Sequence, residues 1–182
     1  MEPCRRHRDT PSHRGMKPSR SEWADAFHAQ ARSDWAVYEQ LGVASLPACH
    51  RLHYLQMACE KLAKAYRLRG TEADEEELRK HHVGFVSFIN TWMRSPAIRE
   101  RYPGREAQRE KVARQVAAVA RLIEGLAPAA DRGNTPENVE YPWRDGARVV
   151  VPCNFTFPVE ETLAGHEGRH FLKLVKLALD LF

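Results

Sequence analysis

Residues 47–70 read PACHRLHYLQMACEKLAKAYRLRG, and their periodicity decides the fold class. Leu52, Leu55, Cys59, Leu62 and Tyr66 recur three and four positions apart, which places them on one face of an α-helix. Pro47 suits the first helical turn, where a missing N–H costs nothing, and Gly70 is the usual stop. Beside the apolar face runs a polar strip, His53, Gln56, Glu60, Lys64 and Arg67, which would form the rim of a groove and supplies candidate ligand-binding residues. Glu60 and Lys64, four apart, also form a supportive helical pair.

Helical periodicity extends in both directions from this segment. Upstream, Trp23, Phe27, Ala31, Asp34, Tyr38 and Leu41 share a face, with Ser21 placed to cap their helix. Downstream, a third helix begins in the acidic run TEADEEELRKHH, carries Val86, Ile89, Trp92 and Met93, and ends before Pro96. A fourth follows YPG at 102–104, with Val112, Val116, Val119, Ile123 and Leu126 forming a bundle seam. The expectation is mainly α: an antiparallel four-helix up-down bundle over 21–126. A loop and extended arm would follow over 127–158, its β-like stretch near 148–157 confined to an edge by Pro152. An added C-terminal helix would close the single domain, 21–182, within residues 159–182.

The formal net charge is +4. Residues 1–20 carry six basic side chains against Glu2 and Asp9, which accounts for all of it, so the remainder balances and offers no general electrostatic footprint for nucleic acid. That tail has no apolar core of a secretory signal and reads as disordered. The four cysteines lack a paired spacing and suit free thiols in the cytoplasm. No stretch is apolar for the roughly 18 residues a membrane span needs.

Near the C-terminus, His166-Glu167-Gly168-Arg169-His170 matches the H-E-x-x-H pattern of zinc peptidases. Two histidines four apart on a helix can share one ion, but a third protein ligand is required. Downstream only Asp180 could serve, and it lies about 15 Å further along the helix. Gly168 would weaken the turn that holds the metal, and Arg169 places a cation beside it. The expectation is therefore no metal and no cofactor, with His166 and His170 the positions that would carry one. Phe171, Leu174, Val175, Ala178, Leu179 and Phe182 form a wide apolar face with a polar stripe of Arg169, Lys173, Lys176 and Asp180, so this helix should be buried against its own bundle or a second copy.

The Asp-led helix DWAVYEQLG at 34–42, then His53, Gln56, Ala58, Glu60, Lys61, Lys64, Ala65 and Gly70, then His81 or His82, together resemble the HEPN family of small helical bundles over about 21–126. The resemblance implies a bundle that tends to dimerise, contact with nucleotide or RNA, and a toxin-antitoxin or defence setting with a protein partner encoded nearby. Many HEPN proteins are metal-independent ribonucleases using an Arg with a His four to six residues later. No such pair occurs after residue 20, which implies a non-catalytic nucleotide- or RNA-binding or protein-interaction module. The alternative is an atypical ribonuclease in which His81 or His82 meets Arg94. In NTPENVEYPW, 134–143, Asn138, Tyr141 and Trp143 could contact a base, although such a loop more often plugs a groove.

Overall fold

The computed structural model describes residues 17–70, 76, 78, 84–128 and 136–182. The tail over 1–16, His81 and His82 lie outside the described residues. The first helix, α1, spans Arg20–Leu41, and Ser19, rather than Ser21, caps it. Ser19 Oγ accepts from the Glu22 amide while the Glu22 carboxylate accepts from the Ser19 amide, so two amides that the helix leaves open are satisfied reciprocally. That contact holds the Glu22 carboxyl below its ordinary pKa.

The second helix, α2, spans Ala48–Gly70 and runs back along α1. Three contacts mark the antiparallel course: Tyr38 with Arg51 (3.1 Å), Asp34 with Lys61 (2.5 Å) and Asp25 with Arg69 (2.9 Å). Leu52, Leu55, Cys59 and Leu62 are buried as the periodicity requires, and Tyr66 is half-buried.

The expected third helix does not run unbroken from the acidic run. Glu76 and Leu78 are helical, but Gly84 takes φ 131°, a value that L side chains rarely adopt and no right-handed helix contains. Helix α3 therefore starts afresh at Phe85 and spans Phe85–Trp92. Its open amides are met from a distance: Glu124 Oε2 accepts from the Gly84 (3.1 Å) and Val86 (3.0 Å) amides. Pro96, read as a stop, instead opens a short helix, α4, Pro96–Arg101. Helix α5, Glu106–Glu124, buries Val112, Val116, Val119 and Ile123 as its seam, with Leu126 buried just beyond its end.

The 148–157 stretch contributes one strand of a hairpin. Strand β1, Trp143–Asp145, pairs antiparallel with β2, Arg148–Val150, in the register Trp143 to Val150. Gly146, at φ 58°, is the first of the two residues joining them, where a tight hairpin turn demands a positive φ. A 3₁₀ turn follows at Pro152–Asn154. Trp143, Phe155 and Phe157 then meet edge to face, at centroid separations of 5.0 Å and 4.9 Å, and fix this arm onto the core.

The expected terminal helix divides at Gly165 into α6, Val159–Ala164, and α7, His166–Asp180. Within this one chain α7 buries Phe171, Leu174, Val175, Ala178 and Leu179, while Arg169, Lys173, Lys176 and Asp180 face outward. Tyr66 Oη donates to the Ala178 carbonyl (2.9 Å), and His28 Nε2 bonds the Leu179 carbonyl (2.8 Å). The chain is thus mainly helical with a two-stranded antiparallel sheet, and among the described residues no helix is long and apolar enough to cross a membrane.

Candidate functional site

The polar strip on α2 splits according to depth. Gln56, Glu60 and Lys64 are buried rather than on a groove rim. Gln56 Nε2 donates to Glu60 Oε2 (3.1 Å), Lys64 Nζ donates to Glu60 Oε1 (2.7 Å), and the Lys64 ammonium lies 5.7 Å from the Phe27 ring centroid. Burying two charges is tolerable only when each meets the other with good geometry, and this arrangement meets that condition by internal pairing. His53 is half-buried, its Nδ1 3.4 Å from Glu140 Oε1 but without hydrogen-bond geometry. Arg67 is exposed.

Asn138 spends its amide on the loop that contains it. Its Oδ1 accepts from the Glu140 and Tyr141 amides (3.0 and 2.7 Å), and its Nδ2 donates to the Pro136 and Tyr141 carbonyls. This is an Asx-type turn completed on both sides, which leaves the buried side chain no capacity for a ligand. Trp143 is core. Tyr141, 55% exposed, is the only one of the loop's three candidates that faces solvent.

The H-E-x-x-H stretch forms the corner between α6 and α7. Gly168 is buried there, and a Cβ at that position would sit 2.2 Å from the Thr162 carbonyl oxygen and 2.3 Å from Leu163 Cα. A glycine that sequence reasoning counts as a weak point is therefore what lets the two helices meet. Arg169 Nη1 donates to the Ala164 carbonyl at the end of α6, and Glu167 Oε1 accepts from Gln115 Nε2 (3.0 Å). His170 Nε2 bonds Tyr102 Oη (3.2 Å); burial, aided by His166 and Lys173, lowers its pKa. Among the described residues no third His, Cys, Asp or Glu joins the pair in a group able to hold a metal ion.

A different region gathers functional groups. Between α5 on one side and the end of α3 with α4 on the other lies a cleft of about 630 Å³, lined by Arg94, Arg99, Arg109, Arg114 and Arg121 against only Glu106 and Glu110. Met93, Ala113 and Ala117 also line it, and the two alanines leave room that larger side chains would fill. Arg109 pairs with Glu106 (3.1 Å), their side chains 17% and 78% exposed. Arg94, Arg99, Arg114 and Arg121 have no ion-pair partner among the described residues. Glu110 and Arg114 have the spacing that usually pairs on a helix, yet they make no such contact. Four unpaired guanidinium groups converging on one concavity repel one another, and an anion, above all a phosphate, relieves that repulsion while accepting bidentate hydrogen bonds.

Of the residues singled out by sequence, Arg94 belongs to this cleft. The other four arginines were missed because the charge beyond the tail sums to zero. A local count would have found them: residues 94–121 carry seven arginines and Lys111 against Glu100, Glu106 and Glu110. No family model, no curated protein and no solved structure matches the chain.

Proposed function

We propose that the chain is a non-catalytic, HEPN-like module that binds a phosphate-bearing ligand, nucleotide or RNA, in the arginine-lined cleft. The observation that carries this reading is the convergence of Arg94, Arg99, Arg114 and Arg121, without ion-pair partners among the described residues, on one cavity of a size typical of ligand sites. The proposal includes an up-down bundle built on α1, α2, α3 and α5, which the antiparallel α1–α2 pair supports. Cytoplasmic location, a homodimer and a protein partner encoded nearby, as in toxin-antitoxin or defence systems, complete the proposal by resemblance to the family.

Thermal melting with and without nucleotides and short RNA tests it. A phosphate ligand at about a hundred times its Kd should add about 2.7 kcal/mol, and Arg114→Ala with Arg121→Ala should abolish the shift. Melting curves indifferent to every phosphate ligand would overturn the reading.

A second reading is favoured by Arg94 itself, which stands at the cleft without an ion-pair partner among the described residues: a ribonuclease in which Arg94 stabilises phosphate charge and His81 or His82 exchanges the proton. Cleavage of labelled RNA that disappears in His82→Ala or His81→Ala would establish it, and no cleavage would exclude it.

A further inference from the structure

The cleft distinguishes between a single nucleotide and a nucleic-acid strand. Arg109, Arg114 and Arg121 follow one another along α5, and at about 1.5 Å per residue their Cα atoms span about 18 Å of helix axis. That length matches about five stacked nucleotides at about 3.4 Å each. The phosphates of a mononucleotide sit on one short chain and reach only part of such a row. Arg94 and Arg99 line the cleft from the other wall, so cations stand on both sides of it. The cleft is also open at the side, since Arg94, Arg99, Arg114 and Arg121 are all exposed.

Among the described residues no aromatic side chain lines the cleft. Proteins that hold single strands through their bases commonly stack them on aromatic rings, and base edges are read by arginine, amide or carboxylate groups aimed singly at a base. Among the described lining residues Asn90 is the only amide, and the two glutamates would repel a backbone. A row of arginines spaced along a helix, with no aromatic platform among the described lining residues, suits what every nucleotide shares, the phosphodiester.

Resting on the phosphate-binding reading above, we infer that this cleft takes the phosphodiester backbone of a nucleic-acid strand, without regard to base sequence and in preference to mononucleotides. The Glu106–Arg109 pair acts within it as an internal competitor: the exposed carboxylate of Glu106 occupies a guanidinium that the backbone would otherwise engage.

Fluorescence anisotropy on the full chain tests this with labelled 12-mers of oligo-A, oligo-U and mixed-sequence RNA, the same mixed sequence as DNA, and ATP as competitor. The expected result is affinities within about threefold across the RNA sequences, with ATP competing only at concentrations far above the Kd for a 12-mer. The RNA and DNA arms separate a backbone read alone from one in which the ribose hydroxyl takes part. For single strands the logarithm of the binding constant should fall with the logarithm of salt at a slope of about −3, from about four phosphate contacts. Arg114→Ala and Arg121→Ala should each reduce that slope by about 0.7 and weaken binding about tenfold, with unchanged circular dichroism as the control for folding. ATP competing as well as a 12-mer, or a preference above tenfold for one RNA sequence, would overturn the inference while leaving a phosphate site in place. Binding of neither ATP nor any oligonucleotide, or binding that both arginine variants leave intact, would overturn the phosphate-binding reading with it.

Discussion

The α6–α7 corner and the arginine cleft are opposites. The corner has the letters of an active site, yet almost every group in it is already engaged: Glu167 with Gln115, His170 with Tyr102, Arg169 with the Ala164 carbonyl, and Gly168 against the backbone of α6. The cleft has no motif, yet among the described residues its four cations Arg94, Arg99, Arg114 and Arg121 have no ion-pair partner. A motif records which residues are neighbours in sequence. Unmet chemical capacity depends on which residues become neighbours in space, and here it points to the cleft.

The contrast breaks first at Gly168. Gly168→Ala forces a methyl group into backbone atoms that cannot swing aside, and the expected loss is about 3 kcal/mol. At about 2–4 °C per kcal/mol for a chain of this size, that is a fall in Tm of about 6–12 °C. A thermal melt within a degree or two of the parent protein would show the corner to be tolerant and the contrast overstated.

In the cleft the corresponding change should affect binding without affecting folding. Arg114→Glu removes an exposed side chain that makes no ion pair, so stability should stay within about 0.5 kcal/mol, while affinity for a labelled oligonucleotide falls about tenfold or more. Loss of folding on denaturant titration would mean that Arg114 is structural, which would place the cleft with the corner.

Smaller still is the effect of Glu106→Gln. Releasing Arg109 from a rim pair of the kind worth about 0.2–1 kcal/mol should tighten binding about two- to fivefold, read by the same anisotropy measurement.

The smallest effect returns to the corner. Burial, with His166 and Lys173 beside it, lowers the folded-state pKa of His170 below its ordinary value near about 6.5. Below that value the unfolded chain binds a proton that the folded chain resists, so this contribution is fully present above about pH 6.5 and is lost on acidification. His170→Gln, which can keep a hydrogen bond to Tyr102, should therefore show a smaller fall in Tm between pH 7.5 and 5.5 than the parent protein. An equal or larger fall would show that His170 does not titrate against folding.

Much of the helical scaffold was legible because burial imposes its period directly: Leu52, Leu55, Cys59 and Leu62 on α2, and Val112, Val116, Val119 and Ile123 on α5, are buried where spacing places them. What escaped notice lacks a period. Strand β1 is three residues long and two of its side chains are charged, so it shows no alternation, and it exists because Gly146 turns the chain back onto it. The break at Gly84 and the division at Gly165 are single-residue backbone events inside stretches whose apolar spacing continues across them. Pro96 can end one helix or begin another, and nothing local decides between them. The candidate site was nearly illegible for a different reason. Side-chain type alone does not tell a buried, self-satisfied Glu60–Lys64 pair from an accessible one, and a net charge of zero conceals arginines sorted onto one face.

Glu124 gives the cleft a temporal order as well as a shape. Helix α3 has eight residues, fewer than the roughly 12–15 that persist alone in water. The carboxylate at its first turn is supplied by the last residue of α5, 38 and 40 positions downstream of the amides it accepts from. A carboxylate disfavoured at the C-terminal end of its own helix is favoured at the N-terminal end of the other, so each end relieves the other. One wall of the cleft is thus completed only after the opposite wall has formed and docked. Glu124→Gln should register as faster unfolding with little change in the refolding rate, as expected of a contact made after the transition state, making the binding surface the late-forming part of the molecule.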